Sequence, residues 1–106
     1  MKRVFLVIAS LAAGMAVSTS ALADLQLATA KNCMACHAVA TKLVGPSYKD
    51  VATKYAGQKD AVDKLSVKIL KGGAGVWGPV PMTPHPALSK EDASQMVKYI
   101  LLLKNK

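Results

Sequence analysis

Phenylalanine vanishes from this chain after Phe5, and the other aromatic residues are one Trp and three Tyr. What apolar content remains is largely Ala, Val and Leu. A small domain with so light a core usually needs a disulfide, a metal or another staple. Long apolar runs are missing beyond the N-terminus, and nothing after Ala23 resembles a stop-transfer segment. The chain also lacks internal repeats and any alternating strand pattern. At 106 residues it has room for one domain. Cysteine and histidine are rationed to two each, and three of those four residues fall within five positions.

The N-terminus has a different composition from the rest. Met1-Lys2-Arg3 is basic, Val4 to Val17 is almost unbrokenly apolar, and Ala21-Leu22-Ala23 is a small-residue cleavage site. This is the layout of a secretory signal peptide, residues 1–23, cleaved before Asp24. The mature domain is then residues 24–106, exported to the periplasm, without stable membrane insertion. It keeps 12 basic residues against 6 acidic ones, a net charge of +6. Export argues against nucleic acid as the partner of this basic surface. The lysines are scattered rather than blocked together, which suits either a solvated surface or a face that steers an acidic partner.

Helical spacing recurs along the mature chain. Leu25 to His37 is one candidate helix, with Leu25, Ala28, Cys33 and Cys36 spaced roughly by turns. Gly45-Pro46 breaks the chain into a loop. Ser47 can cap a helix carrying Tyr48, Val51, Ala52 and Tyr55 on one face, stopped by Gly57. Asp60 can cap another, with Ala61, Val62, Leu65 and Ile69 inside it and Gly72-Gly73 ending it. Ser89 can cap the last, where Ala93, Met96, Val97, Ile100 and Leu101 form the apolar stripe. Between them, Gly75 to Pro86 holds four of the five prolines and is expected to be an extended, stiff loop. The predicted class is all-α, with three to four helices.

The five positions Cys33-Met34-Ala35-Cys36-His37 carry the chemistry. Two cysteines three apart, followed directly by histidine, form the C-x-x-C-H signature of covalent c-type haem attachment. Cys33 and Cys36 would give the thioether links, and His37 would bind the iron. A thioredoxin-like pair expects a βαβ setting, which is missing. A zinc site needs two more ligands at close spacing, and only His85 remains. A Cys33–Cys36 disulfide would close too short a loop to stabilise much.

Four side chains are candidates for the opposite face of the iron: Met34, Met82, His85 and Met96. Met34 lies inside the attachment motif and is badly placed. Met96 falls on the apolar stripe of the last helix, where core packing explains it. Met82 is a soft thioether held between Pro81 and Thr83-Pro84, a good axial ligand. His85 is its competitor, and two imidazoles would lower the potential relative to Met and His.

The chain resembles a small class I cytochrome c of the bacterial c-551/c-552 type. The resemblance rests on CMACH, on KLVGPSYKDVATKYAGQ from Lys42 to Gln58, on GVWGPVPM from Gly75 to Met82, and on the lysine-bearing last helix. It implies the small cytochrome c fold around one covalent haem c, with His37 and Met82 as axial ligands. It further implies that the Pro46 carbonyl holds the second nitrogen of His37, and that the Trp77 indole donates to a haem propionate. Lys68 stands where relatives often place an arginine, so a bidentate contact is lost. His85 stands where they often place an asparagine that bonds the methionine sulfur.

The expected function is electron transport by a monomeric periplasmic carrier, not an enzyme. Its partners would be acidic redox proteins of a respiratory chain, such as a quinol–cytochrome c reductase on one side and an oxidase or nitrogen-oxide reductase on the other. The alternative is a haem enzyme or gas sensor whose distal ligand is weak or absent.

Overall fold

A computed structural model describes residues 19–105 of the protein. The elements run α1 (Thr19–Ala30), a 3₁₀ turn (Cys33–Ala35), α2 (Tyr48–Lys54), α3 (Ala61–Lys71), α4 (Lys90–Leu101) and a closing 3₁₀ turn (Leu102–Asn105). The predicted signal peptide lies outside the described residues as far as residue 18. Among the described residues there is no strand, only one isolated antiparallel bridge, between Gly73 and Met82. The all-α class therefore holds, with four α-helices.

Two helices start where local chemistry says they should, and a third stops there. Ser47 accepts from the Asp50 amide at 3.1 Å and caps α2. Ser89 accepts from the Asp92 amide at 3.0 Å and caps α4. Each cap satisfies one of the orphan amides of a first turn, worth about 1 kcal/mol. Asp60 precedes α3 but its side chain caps nothing. Its carboxylate lies 3.6 Å from Lys64 Nζ instead, in an exposed pair one helical turn apart. Gly72 closes α3 with φ of +68°, a left-handed conformation that glycine adopts without a Cβ penalty.

The expected helix from Leu25 to His37 is not continuous. It ends at Ala30, Asn32 turns left-handed at φ of +63°, and a 3₁₀ turn follows. Asparagine is among the few non-glycine residues that take this conformation readily. The break re-aims the cysteine segment relative to α1.

Helix α4 packs against α1, α2 and α3, most extensively against α3. The buried cluster includes Ala28, Tyr48, Tyr55, Leu65, Ile69, Leu88, Met96, Val97, Ile100 and Leu103. Ala28 and Ala93 are completely buried, and Ala52 and Ala61 are 1% exposed, so these elements approach closely on small side chains. Two polar links tie α4 to its neighbours. Gln95 Nε2 donates to the buried Asp24 carboxylate at 2.6 Å, and the Ser66 and Ser94 hydroxyls lie 3.3 Å apart.

The proline-rich loop is docked on the end of α3. Gly73 and Met82 exchange both backbone hydrogen bonds, at 3.2 and 2.8 Å, and the His85 amide donates to the Ile69 carbonyl at 3.0 Å. A Cβ on Gly72 would collide with the Met82 carbonyl oxygen, so glycine is needed there for close approach as well as for its φ.

Candidate haem site

The 3₁₀ turn at Cys33–Ala35 is held by the Cys36 and His37 amides, which both donate to the Cys33 carbonyl, at 3.2 and 3.0 Å. Both cysteines are free thiols; Cys33 is half-buried and Cys36 is exposed. Burial pushes the Cys33 thiol above its ordinary pKa.

His37 is fixed from three sides. Its Nδ1 lies 2.7 Å from the Pro46 carbonyl oxygen, and since a carbonyl can only accept, the proton sits on Nδ1. In the neutral ring that makes Nε2 the lone-pair nitrogen, the form that a metal takes. The ring stacks on Tyr48, with centroids 5.5 Å apart and planes inclined at 26°. Gly45 passes beneath it, and a Cβ there would come within 2.6 Å of His37 Cε1. The Gly45 amide in turn donates to the Cys36 carbonyl at 2.8 Å. The loop after the cysteines is thus tied back onto the cysteine segment itself.

These residues open onto a cavity of about 700 Å³. Cys33, Cys36 and His37 line it, together with Pro46, Lys68, Trp77, Met82 and His85. Helices α3 and α4 supply an apolar wall through Leu65, Ile69, Met96, Val97 and Ile100. The fold therefore brings every residue singled out for the site to one cavity. Of the two rejected axial candidates, Met34 is absent from the lining and packs against the core cluster. Met96 is buried in that cluster, 3% exposed, and also lines the cavity. Lys68 Nζ lies so near Gly73 that a Cβ there would be 2.9 Å from it. Trp77 is 44% exposed, and Lys54 Nζ sits 5.4 Å from its ring centroid. His85 Nδ1 is buried and has no hydrogen-bond partner.

Sequence reasoning missed three residues here. Gly45 was visible only as a breaker, Tyr48 only as part of an apolar stripe, and Lys54 as one scattered lysine. Each owes its part to a contact made in space. Gly45 carried the most accessible signal, since a glycine directly before the proline expected to hold His37 is a natural place for close approach.

The donor set suits a large apolar group carrying a metal. The cavity lies within the range of about 300–1,000 Å³ typical of cofactor sites. One neutral imidazole, two unpaired thiols and an apolar wall fit a covalently held haem. Among the described residues no three His, Cys, Asp or Glu gather into a group that could hold a metal ion. No described helix is long and apolar enough to cross a membrane.

The family model for cytochrome c matches residues 25–104. The chain belongs to the cytochrome c family. It is 57% identical over 82 residues to cytochrome c-552 of Hydrogenobacter thermophilus, covering 77% of this chain and 83% of that protein. It is 48% identical over 87 residues to cytochrome c-551 of Allochromatium vinosum, covering 82% of this chain and 93% of that one. The crystal structure of wild-type cytochrome c552 from Nitrosomonas europaea superimposes with a TM-score of 0.73 at 49% identity, over 76% of this chain and 99% of that one. This is a small class I c-type cytochrome with the small all-α cytochrome c fold. Its cofactor is covalent haem c, and the Cys33-x-x-Cys36 spacing fits the attachment. The class supported by these similarities is a small haem c electron carrier.

Proposed function

We propose that this cytochrome is a soluble periplasmic carrier of single electrons, with His37 and Met82 as the axial ligands of its haem. The observation that carries the reading is that two ligand-type side chains on one cavity are both held by the backbone. His37 is held through its bond to the Pro46 carbonyl, and Met82 through its paired bonds to Gly73. Ligands that do not move between oxidation states keep the reorganisation on electron transfer small. The haem supplies the one-electron couple, and a methionine–histidine pair sets it at the higher end of haem potentials.

The other residues divide the remaining work. Cys33 and Cys36 anchor the group covalently. Pro46 fixes the His37 tautomer and ring direction. Trp77 offers a donor-only indole N–H suited to a propionate, and Lys68 a nearby positive charge. Leu65, Ile69, Val97 and Ile100 keep water out. With His37 and Met82 both bound to it, the iron would have no place for a substrate, which is what makes this a carrier reading and not an enzyme one.

Docking falls naturally to the cavity mouth. Val44, Val76 and Val80 are exposed apolar side chains along its lining, and Lys31, Lys42 and Lys68 line it as well. A small apolar patch edged with lysine suits brief encounters with acidic redox proteins of a respiratory chain, steered by charge. We take the working unit to be residues 24–106 as a monomer, after removal of residues 1–23.

An absorption spectrum of the exported protein tests the reading. Colour should survive acid–acetone extraction, and the ferric form should show the weak far-red sulfur-to-iron band. Extractable haem would remove the covalent link. Retained haem without the band would remove Met82 and leave either His85 or an open iron in its place, and only the open iron favours a haem enzyme or gas sensor.

A further inference from the structure

His85 is the residue of the cavity wall that electron carriage by His37 and Met82 leaves unused. Its Nδ1 is the one buried side-chain nitrogen or oxygen without a partner among the described residues. Leaving such an atom unpaired is costly, and in a native fold it needs a reason. The one carboxylate on the cavity lining, Asp50, makes no ion pair with it.

The backbone around His85 is as firmly held as that around Met82. Its amide donates to Ile69 at 3.0 Å and its carbonyl accepts from the Leu88 amide at 3.1 Å. Pro84 and Pro86 flank it, fixing the φ of both neighbours and keeping His85 out of helical conformation. Three residues earlier, Met82 is bonded twice to Gly73. One stiff segment, pinned to the end of α3 at both points, thus presents a thioether and an imidazole to the same cavity as His37.

We propose that His85 is a latent iron ligand of this cavity, taking the iron when the Met82 thioether leaves it. The proposal rests on the His37/Met82 reading above. A thioether is a soft ligand, whereas imidazole binds iron well and lowers the potential relative to methionine. No protein hydrogen bond to Nδ1 has to be broken for the ring to be recruited. A tethered imidazole also competes at a high effective concentration with small ligands from solution. Loss of the Met82 sulfur in this chain therefore gives a closed cytochrome of lower potential, not an open one that binds gases or anions.

The test uses haem-loaded Met82→Leu protein, which removes the sulfur and nearly conserves volume. Its ferric absorption and electron paramagnetic resonance spectra are read, and azide is titrated in, beside Met82→Leu/His85→Ala. The single variant should be low-spin with a two-imidazole signature and a potential below wild type. The double variant should be high-spin and bind azide at least about tenfold more tightly, as expected where His85 leaves about a tenth of the iron open. A high-spin single variant overturns the proposal, and so does a low-spin spectrum that survives His85→Ala. Met82→Ala, read in the same way, serves if Met82→Leu matures poorly. A far-red band in the native protein together with a high-spin Met82→Leu sinks the latent ligand alone. A native protein without that band sinks the Met82 reading itself.

Discussion

Gly45 runs so close under His37 that a single added carbon would lie 2.6 Å from the ring carbon Cε1 and 3.0 Å from Nδ1. The imidazole is therefore confined between backbone below, the Tyr48 ring beside it and the Pro46 carbonyl at one end. Confinement of this kind selects both the tautomer and the direction of the remaining nitrogen.

Gly45→Ala should consequently be among the most damaging single-methyl changes in the protein. Overpacking of this kind costs about 1–3 kcal/mol, and here it also displaces the imidazole. The expected result is a lower yield of haem-loaded protein and a disturbed ferric spectrum, read beside thermal unfolding. Gly57→Ala is the control. Its φ of +76° strains any side chain, but nothing lies within 4 Å of the added carbon. It should cost about 1–2 kcal/mol and leave the spectrum untouched.

The two serine caps should differ in cost. Ser47 is 1% exposed, whereas Ser89 is exposed. Ser47→Ala removes a part-buried cap bond whose hydroxyl is enclosed and should lose about 1–2 kcal/mol, while Ser89→Ala removes an exposed one and should lose about 0.5–1 kcal/mol. Denaturant midpoints at constant slope would show the order, and equal losses would refute the burial argument.

Lys54 reaches from the end of α2 to Trp77 on the stiff loop. A double-mutant cycle with Lys54→Ala and Trp77→Leu should give a coupling of about 0.5–1 kcal/mol, the scale of a cation–π contact at an exposed site. The coupling should persist in high salt better than a surface ion pair does.

Cys33→Ala/Cys36→Ala protein, made without haem, should be largely unfolded by circular dichroism. An enclosed void costs about 24 cal/mol per Å³. If a third of the roughly 700 Å³ cavity were enclosed, the cost would be about 6 kcal/mol. A whole domain is stable by only about 5–15 kcal/mol. A well-folded helical apo-protein would show that the alanine-rich core suffices alone.

Much of this protein is determined by interactions within a few residues of chain, and those were legible. The C-x-x-C-H spacing, the serine caps of α2 and α4, the apolar stripe of α4 and the glycine end of α3 all act over one turn of helix. Such terms carry the same meaning wherever the segment is placed. Some local signals misled. Spacing alone extended a helix from Leu25 to His37, because periodicity does not see that Asn32 turns left-handed and ends it. Asp60 looked like a cap, yet its carboxylate turns to Lys64.

Tertiary structure decided which distant residues meet and what faces the cavity. Gly45 beneath His37, Lys54 over Trp77, Asp24 against Gln95 and the docking of the proline loop on α3 join residues from separate elements. Sequence could name His85 as a competitor for the iron. Only the packed fold buries its Nδ1 without a partner, because burial depends on how separate elements meet in space and not on the residues beside His85 in the chain.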